Sequence, residues 1–351
     1  MKTLKDVSNV DEALEILYSL EDPLNNRNFG AEINSIASLI DKGYLSSLQN
    51  AYFLVSDTDD GRFLGEVLKK FFKENPFGLE FNLVDYIVVE DLDDSRPYDF
   101  KARGLRNLVR EMARLIRNHP GSMINATGGY KAQIAFATAL GQALKVSVYY
   151  RFERFPQIIE LPPLPLSLSD TIAQKYKRLL IMLECSKDGI PRDKFLKEAY
   201  TNSMASIDEE MKVLIETMDD IVLLSPMGQI YFESVVEFTY EELEKMDFLV
   251  SKKSPEEKIS FSKREHHSAK LLKDNYSDIL KVAKLKLVDK IIVDGSSTNY
   301  KTDRISAKVE RDIIRLDYST SGGTLHFRIF TKCYSEKINS VIAEKIEKIL
   351  K

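Results

Sequence analysis

The sequence predicts a mixed α/β protein of several domains, and three stretches carry that expectation. Met123 to Lys131 ends an apolar strand and opens a helix, and Val146 to Tyr150 supplies the next strand. This is the repeating unit of a doubly wound, parallel sheet. Helical patterns and then a hairpin pattern occupy Thr171 to Phe232, an order that reads as a winged helix. From Lys258 onward a strand, two helices, antiparallel strands and a closing helix follow, an α+β arrangement. With 351 residues and 44% apolar content the chain can bury two or three cores.

In the first stretch, Tyr52-Phe53-Leu54-Val55 reads as a buried strand. It ends in the polar turn Ser56-Asp57-Thr58, ahead of a helix from Gly65 to Asn75. Gly104-Leu105-Arg106-Asn107-Leu108 begins the next helix. The run Asn125-Ala126-Thr127-Gly128-Gly129-Tyr130-Lys131 then joins a strand end to the helix Lys131 to Ala143. Adjacent glycines allow positive φ and close approach of backbone N–H groups, and the helix points its positive end at the same place. Such a corner favours an anion. Lys131 adds a full charge, and Asn125 and Thr127 add groups that bond ribose or base edges. Neither GxxxxGK[ST] nor GxGxxG is present. A lone Thr-Gly-Gly is more often a plain turn, but here the flanking strands and helix favour a site. Ligands of open α/β sheets sit beyond the carboxyl ends of the strands. Ser56, Asp57 and Thr58 therefore join Asn125, Thr127, Gly128, Gly129, Tyr130 and Lys131 as candidate ligand-binding residues.

The words Asn-Ala-Thr-Gly-Gly-Tyr-Lys-Ala, followed by Tyr149 to Leu166 with its Leu161-Pro162-Pro163-Leu164-Pro165 exit, resemble the CARF domain of CRISPR-associated effectors. The resemblance covers roughly the first half of the chain. It implies a Rossmann-like sensor over residues 1–165, activated by a cyclic oligoadenylate, usually cyclic tetra-adenylate, and bound across a homodimer. In one respect the sequence departs from that family. The expected first strand with its small, polar, glycine-bearing loop is not found, and the chain opens Met1-Lys2-Thr3-Leu4-Lys5-Asp6-Val7. The start is therefore read as truncated, misassigned or replaced.

The net charge of -4 is unevenly distributed. Glu256 to Lys351 holds 20 Lys+Arg against 14 Asp+Glu, a net of +6, so a basic last domain joins an acidic body. Cys185 and Cys333 lie far apart, suggest no disulfide framework and make a reducing cytoplasm the expected location. Neither cysteine has a metal-ligand neighbour in sequence, and no metal or other cofactor is expected. No apolar run reaches the length of a membrane span, so no membrane partner is expected.

In the middle domain, 166–252, helices are expected from Thr171 to Glu184, from Ile190 to Tyr200 and from Ile207 to Met218. Ile221-Val222-Leu223-Leu224 is then expected to turn through Ser225-Pro226-Met227-Gly228 into Gln229-Ile230-Tyr231-Phe232 as a hairpin. The third helix carries Asp208, Glu209, Glu210 and Glu216 against Lys212. Those charges repel phosphate, which favours a linker or dimer module over a DNA reader.

In the last domain, 253–351, a strand Lys258 to Phe261 precedes helices Lys263 to Lys273 and Ser277 to Ile292, stopped by Asp294-Gly295-Ser296-Ser297. Strands Ile313 to Tyr318 and Leu325 to Phe330 flank the turn Ser321-Gly322-Gly323, and a helix runs from Glu336 to Leu350. This order, with the strand Ile314-Arg315-Leu316-Asp317-Tyr318 and the tail from Tyr334, resembles the RelE family of ribosome-dependent messenger RNA interferases. RNA cleavage by 2′-hydroxyl attack needs a stabilised phosphorane and two proton transfers, which Arg and Lys clusters serve without metal. Arg315 and Arg328 are assigned to transition-state charge, Lys308 or Arg311 to proton acceptance or phosphate clamping, and Tyr334 to base stacking. Lys332 completes the basic set. His326 should share a face with Arg328 and is read, like His266 and His267, as a solvated residue.

Arg114 to His119 matches the Arg-x4-6-His spacing of HEPN ribonucleases but lies inside the sensor, and no acidic residue with a Glu-x-Lys strand marks a metal-dependent nuclease. The expected function is therefore a cyclic tetra-adenylate-activated, ribosome-dependent endoribonuclease acting on mRNA. The alternatives are a ligand-sensing winged-helix transcription regulator and a HEPN-like or other nuclease effector.

Overall fold

The computed structural model describes residues 7, 9–45, 49–74, 77–78, 80–152, 157–263, 266–297 and 305–351. The fold is mixed α/β with several small sheets. The chain forms two compact units, one of residues 1–169, 209–216 and 224–234, the other of 170–208, 217–223 and 235–351.

The first unit opens with α1 (Val10–Tyr18) and α2 (Ala31–Asp41), then β1 (Asn50–Val55), α3 (Asp59–Lys73) and β2 (Leu83–Val88). The one-turn α4 (Pro97–Asp99) passes through a π-helical turn, Phe100–Gly104, into α5 (Leu105–Asn118). β3 (Ile124–Asn125), α6 (Lys131–Leu144), β4 (Val148–Arg151) and β5 (Ile158–Leu161) complete it. α3 begins six residues before the expected Gly65, because Thr58 caps it: its Oγ1 accepts from the Gly61 N–H at 3.0 Å, with Asp59 and Asp60 in the first turn. The expected end at Asn75 lies outside the described residues. β1 pairs in parallel with β2, from Asn50 opposite Leu83 to Val55 opposite Val88. A separate sheet has the order β3-β4-β5, with β3 parallel and β5 antiparallel to β4. Ile33 and Ile36 of α2 pack with Val67, Leu68, Phe71 and Phe72 of α3 in one cluster. Leu108, Val109 and Met112 of α5 pack with Ala137 and Leu140 of α6 in another.

Next come α7 (Thr171–Cys185), β6 (Ile190–Pro191), α8 (Arg192–Glu198), α9 (Glu209–Val213), β7 (Ile215–Met218), β8 (Ile221–Leu224), α10 (Pro226–Val235) and α11 (Tyr240–Leu243). Two expectations are corrected here. The helix expected from Ile207 to Met218 is confined to α9, and Ile215 to Met218 is the first arm of the hairpin. The segment expected as its second arm is the helix α10. Ser225-Pro226 is a helix start rather than a turn: Ser225 Oγ accepts from the Gly228 N–H at 3.0 Å, and Pro226 takes the first position, where its missing N–H costs nothing. The hairpin instead reverses at Asp219, which adopts a φ of 52°, and β6-β8-β7 form a three-stranded sheet.

The remaining elements are β9 (Ile259–Phe261), α12 (His266–Asp274), α13 (Tyr276–Lys284), β10 (Lys290–Ser297), β11 (Ile305–Glu310), β12 (Ile313–Thr320), β13 (Gly323–Phe330) and α14 (Glu336–Leu350). The five strands are ordered β11-β12-β13-β10-β9, antiparallel except for β10 with β9. The helix expected from Ser277 to Ile292 ends at Lys284, where the buried Lys258 donates to the carbonyls of Ala283 and Leu285 at 2.8 and 3.0 Å. The β-branched run Ile291-Ile292-Val293 that follows is a strand, and so is the segment expected as a stop. One face of the sheet, with Ile291, Val293, Ile314, Leu316, Phe327 and Ile329, is buried. The other carries the polar residues.

Cys185 and Cys333, expected to be unpaired, are joined: the S–S distance is 2.07 Å and the Cα atoms are 4.3 Å apart. Their separation of 148 residues hid the pairing from the sequence. The bond ties the end of α7 to the segment ahead of α14, and both sulfurs' residues are buried. Closing so long a loop should stabilise by about 2–4 kcal/mol. The double variant Cys185→Ser/Cys333→Ser should lose that amount in urea unfolding, and an unchanged midpoint would show the bond to be energetically idle.

Candidate functional site

The first unit gathers polar groups beyond the carboxyl ends of β1 and β3. Ser56 Oγ lies 2.9 Å from Thr58 Oγ1. Asp57 pairs with Arg62 and accepts from the Asp91 N–H at 3.3 Å, so its charge is already engaged. Asn125 is held from both ends: its Nδ2 donates to Ser35 Oγ at 2.7 Å, and its Oδ1 accepts from Thr127 Oγ1 at 2.7 Å. Thr127 Oγ1 in turn accepts from the Arg151 N–H at 3.0 Å, which pins the strand end to β4.

The glycine pair behaves as its chemistry requires. Gly129 has a φ of +95°, in the left-handed region. Gly128 lies so near the Glu32 carboxylate that a Cβ would collide with it. Gln133 Oε1 accepts from the Tyr130 N–H at 2.8 Å, completing the start of α6. The Tyr130 hydroxyl bonds to Asp94, and that bond, with some burial, pushes its phenol above the ordinary value. Lys131 is exposed at the helix start. A cavity of about 810 Å³ is lined by Ser56, Asn125, Gly128, Gly129 and Tyr130, with Glu32 among them. Asp57, Thr58, Thr127 and Lys131 are not in its lining. Glu32 had no signal in the sequence as part of this corner, because only the fold brings α2 beside the Gly-Gly turn.

In the second unit, the register sets Lys308 opposite Arg315 and Arg315 opposite Arg328, one basic row across β11, β12 and β13 on the polar face. Arg328 grips Asp294 with two parallel bonds, Nε to Oδ2 at 2.7 Å and Nη2 to Oδ1 at 2.6 Å. Arg315 reaches the same carboxylate at 3.3 Å and Glu310 at 3.1 Å. The Arg328 hydrogen bond holds the Asp294 carboxyl below the usual carboxylate range, and it raises the Arg328 guanidinium reciprocally.

The next row places Asp317 opposite His326. His326 Nδ1 lies 2.7 Å from Asp317 Oδ1 and its Nε2 lies 3.1 Å from Ser297 Oγ. His326, expected to be merely solvated, is therefore fixed in orientation by two partners while its side chain stays 41% exposed. A carboxylate-imidazole-hydroxyl line is suited to proton transfer. Sequence reasoning placed His326 on the right face but missed Asp317, Ser297 and Asp294, whose roles appear only in the register.

Of the other basic residues, Arg311 occupies the β11–β12 turn with a φ of 61°. Lys332 Nζ donates to the Val250 carbonyl at 2.6 Å and is structurally engaged. Tyr334 is 52% exposed, and its N–H donates to the Cys185 carbonyl at 3.4 Å. Neither Arg311, Lys332 nor Tyr334 is in the Lys308–Arg315–Arg328 row. Among the described residues, no group of three or more His, Cys, Asp or Glu side chains could hold a metal ion.

Residues 27–164 match a family model described as "CRISPR-associated protein (Cas_APE2256)". The matched region spans β1 to β5 and the Gly-Gly corner, and it supports a CRISPR-associated role. It covers less than half of the chain. No curated protein matches significantly. No helix among the described residues is long and apolar enough to cross a membrane.

Asp294→Asn should destabilise the protein by about 1–2 kcal/mol at neutral pH, since it removes the charge that both arginines share. Because the folded-state pKa is depressed, the carboxylate's contribution is present above its unfolded value, about 3.9, and is lost as pH falls through the folded value. Urea unfolding of both proteins from about pH 7 to pH 2 should show the difference shrinking toward zero. A constant difference would mean that packing, not charge, is responsible.

Proposed function

We propose that this chain is a nucleotide-activated endoribonuclease of CRISPR defence. In this reading the first unit senses a cyclic oligoadenylate, cyclic tetra-adenylate in the first instance, and the second cleaves mRNA on the ribosome without a metal. The observation that carries the nuclease half is the Lys308–Arg315–Arg328 row beside the fixed His326–Asp317 pair. The sensing half is supported by the Gly128-Gly129 corner at the start of α6 and by the match over residues 27–164.

The cleavage step follows from these groups. His326 takes the proton of the substrate 2′-hydroxyl as that oxygen bonds to phosphorus, and Asp317 stabilises the resulting imidazolium. The P–O5′ bond breaks, leaving a 2′,3′-cyclic phosphate, and the 5′ oxygen leaves with a proton from the Lys308 ammonium, the amine of the row. Arg315 and Arg328 each retain N–H donors beyond those used on Asp294 and Glu310, and these face the phosphorane oxygens. Lys131 and the Gly128-Gly129 turn take one phosphate of the ring. A ring with twofold symmetry takes a second copy of the same corner, which makes a C₂ homodimer the natural assembly.

The test is cleavage of mRNA by the purified protein in EDTA, with and without cyclic tetra-adenylate, each with and without translating ribosomes. Cleavage that needs both supports the reading, and ligand-dependent cleavage of naked RNA would instead make the ribosome dispensable. Tight ligand binding with no cleavage would favour a regulator. His326→Ala should lower the cleavage rate by about 10²- to 10⁴-fold while ligand binding persists. Unchanged cleavage would remove His326 from the chemistry. Lys131→Ala should raise the ligand concentration for half-activation about 10- to 100-fold, the worth of one hydrogen bond between charged groups.

A further inference from the structure

Ser297 is the member of the His326 line that the cleavage chemistry leaves idle. It closes β10, after the bulge, on the polar face of the sheet. Its Oγ lies 3.1 Å from His326 Nε2, and His326 Nδ1 lies 2.7 Å from Asp317 Oδ1. A carboxylate only accepts hydrogen bonds, so in the neutral ring the proton sits on Nδ1 and points at Asp317. Nε2 is then the acceptor, and the Ser297 hydroxyl donates to it. Hydroxyl, imidazole and orienting carboxylate stand within hydrogen-bond reach of one another in the order that activates a serine nucleophile.

The row beside this line is made of hydroxyls. The register sets Ser297 opposite Thr324 and Thr324 opposite Ser319, so the three side chains cross β10, β13 and β12 together. Thr324 Oγ1 lies 2.8 Å from Ser319 Oγ, and Thr324 is only 7% exposed, so this pair is held in place. An acyl group attached to Ser297 lies over that row. As charge develops on its carbonyl oxygen, the Thr324 hydroxyl is the fixed donor beside it. The row holds small polar side chains, which suits a short acyl group such as acetyl and offers no groove for a long alkyl chain.

The other side of His326 selects the alcohol. The next row along the strands is Lys308, Arg315 and Arg328. Two residues along a strand span about 7 Å. A leaving alcohol that takes its proton from His326 Nε2 therefore extends toward these cations, and an anionic group on it meets them. A nucleotide separates its 3′ oxygen from its 5′ phosphate by a similar span. The order on the face is thus acyl group over the hydroxyl row, leaving oxygen at His326 and phosphate at the basic row.

We propose that Ser297 is the nucleophile of a second activity on this face, the hydrolysis of short carboxylic esters of phosphate-bearing alcohols, of which an O-acetylated nucleotide is the simplest case. The Ser297 oxygen bonds to the carbonyl carbon as its proton moves to His326 Nε2, and Asp317 stabilises the imidazolium. The bond between the carbonyl carbon and the alcohol oxygen breaks, and the alcohol leaves with the proton from Nε2. The acyl group stays on Ser297 Oγ. Water then attacks that ester, its proton passing through Nε2 back to Ser297, and the carboxylic acid departs. Ester and water become acid and alcohol, with no other reactant. This activity goes beyond the nuclease reading: it shares His326 and Asp317 with it and needs neither RNA nor the ribosome.

The test incubates the full chain with a biotinylated fluorophosphonate, without RNA, ribosomes or cyclic nucleotide, and maps the labelled peptide by mass spectrometry. The label should fall on Ser297, and its rate should drop about 10²- to 10⁴-fold in His326→Ala and in Asp317→Asn. The folded chain should then hydrolyse 2′(3′)-O-acetyl adenosine 5′-monophosphate about tenfold or more faster than 2′(3′)-O-acetyl adenosine, a preference that Arg315→Ala abolishes. Ser297→Ala should lose hydrolysis of both esters, with its urea midpoint read alongside to separate lost chemistry from lost fold. The proposal is overturned by labelling no greater than that of heat-unfolded chain, by a label on another residue, or by an equal rate at Ser297 in His326→Ala. Equal rates on the two esters would overturn the phosphate-bearing alcohol. Because RNA is absent from these assays, a negative result leaves mRNA cleavage standing, and a failure to cleave mRNA leaves the Ser297 label standing.

Discussion

A single extra residue in β10 decides which of that strand's later side chains reach the polar face of the second unit's sheet. The register of β10 against β13 runs Val293 opposite Phe327 and then Gly295 opposite His326, so Asp294 is a bulge. Side chains alternate with a period of two, and an inserted residue exchanges inward and outward positions for everything after it. Without the bulge, Gly295 and Ser297 would fall on the buried side. With it, Ser297 faces outward and meets His326 Nε2 at 3.1 Å. The bulged residue itself presents its carboxylate to Arg328 and Arg315. The hydroxyl end of the His326 line thus depends on one backbone irregularity, beside the carboxylate that clamps Arg328 and Arg315.

The corner in the first unit shows the opposite economy, with rigidity made from short local bonds. Asn125, Thr127, Gln133 and Tyr130 fasten the turn to α2, β4 and α6. Glu32 brings a carboxylate against Gly128, into a place where the helix end favours negative charge. In the proposed reading, a phosphate entering there must displace or tolerate that side chain, which makes Glu32 its competitor.

How much of this was legible follows from the range of each interaction. The Gly-Gly corner, the hairpin of β12 and β13 and the closing helix α14 are local patterns, and they lie where the sequence places them. Ser225-Pro226 misled because the same dipeptide opens turns and helices, and burial of Ile230 and Phe232 decides between them. β10 was hidden because the helical spacing of α13 continues into Ile291 and Ile292, and because Asp-Gly-Ser-Ser reads as a stop when it is a bulged strand. The partners Asp317, Ser297 and Asp294 are 9, 29 and 34 residues from the side chains they hold. Such pairings belong to the register, which no periodicity reveals.

The bond between Cys185 and Cys333 turns the chain between them into a covalent ring. All of β6 to β13 lies within it, with the middle helices and the polar sheet face. A protease that cuts once anywhere in that ring produces no loose fragment: the two pieces stay attached through sulfur, and the nick becomes visible only after reduction. The second unit can therefore lose the continuity of its backbone and keep the identity of its parts.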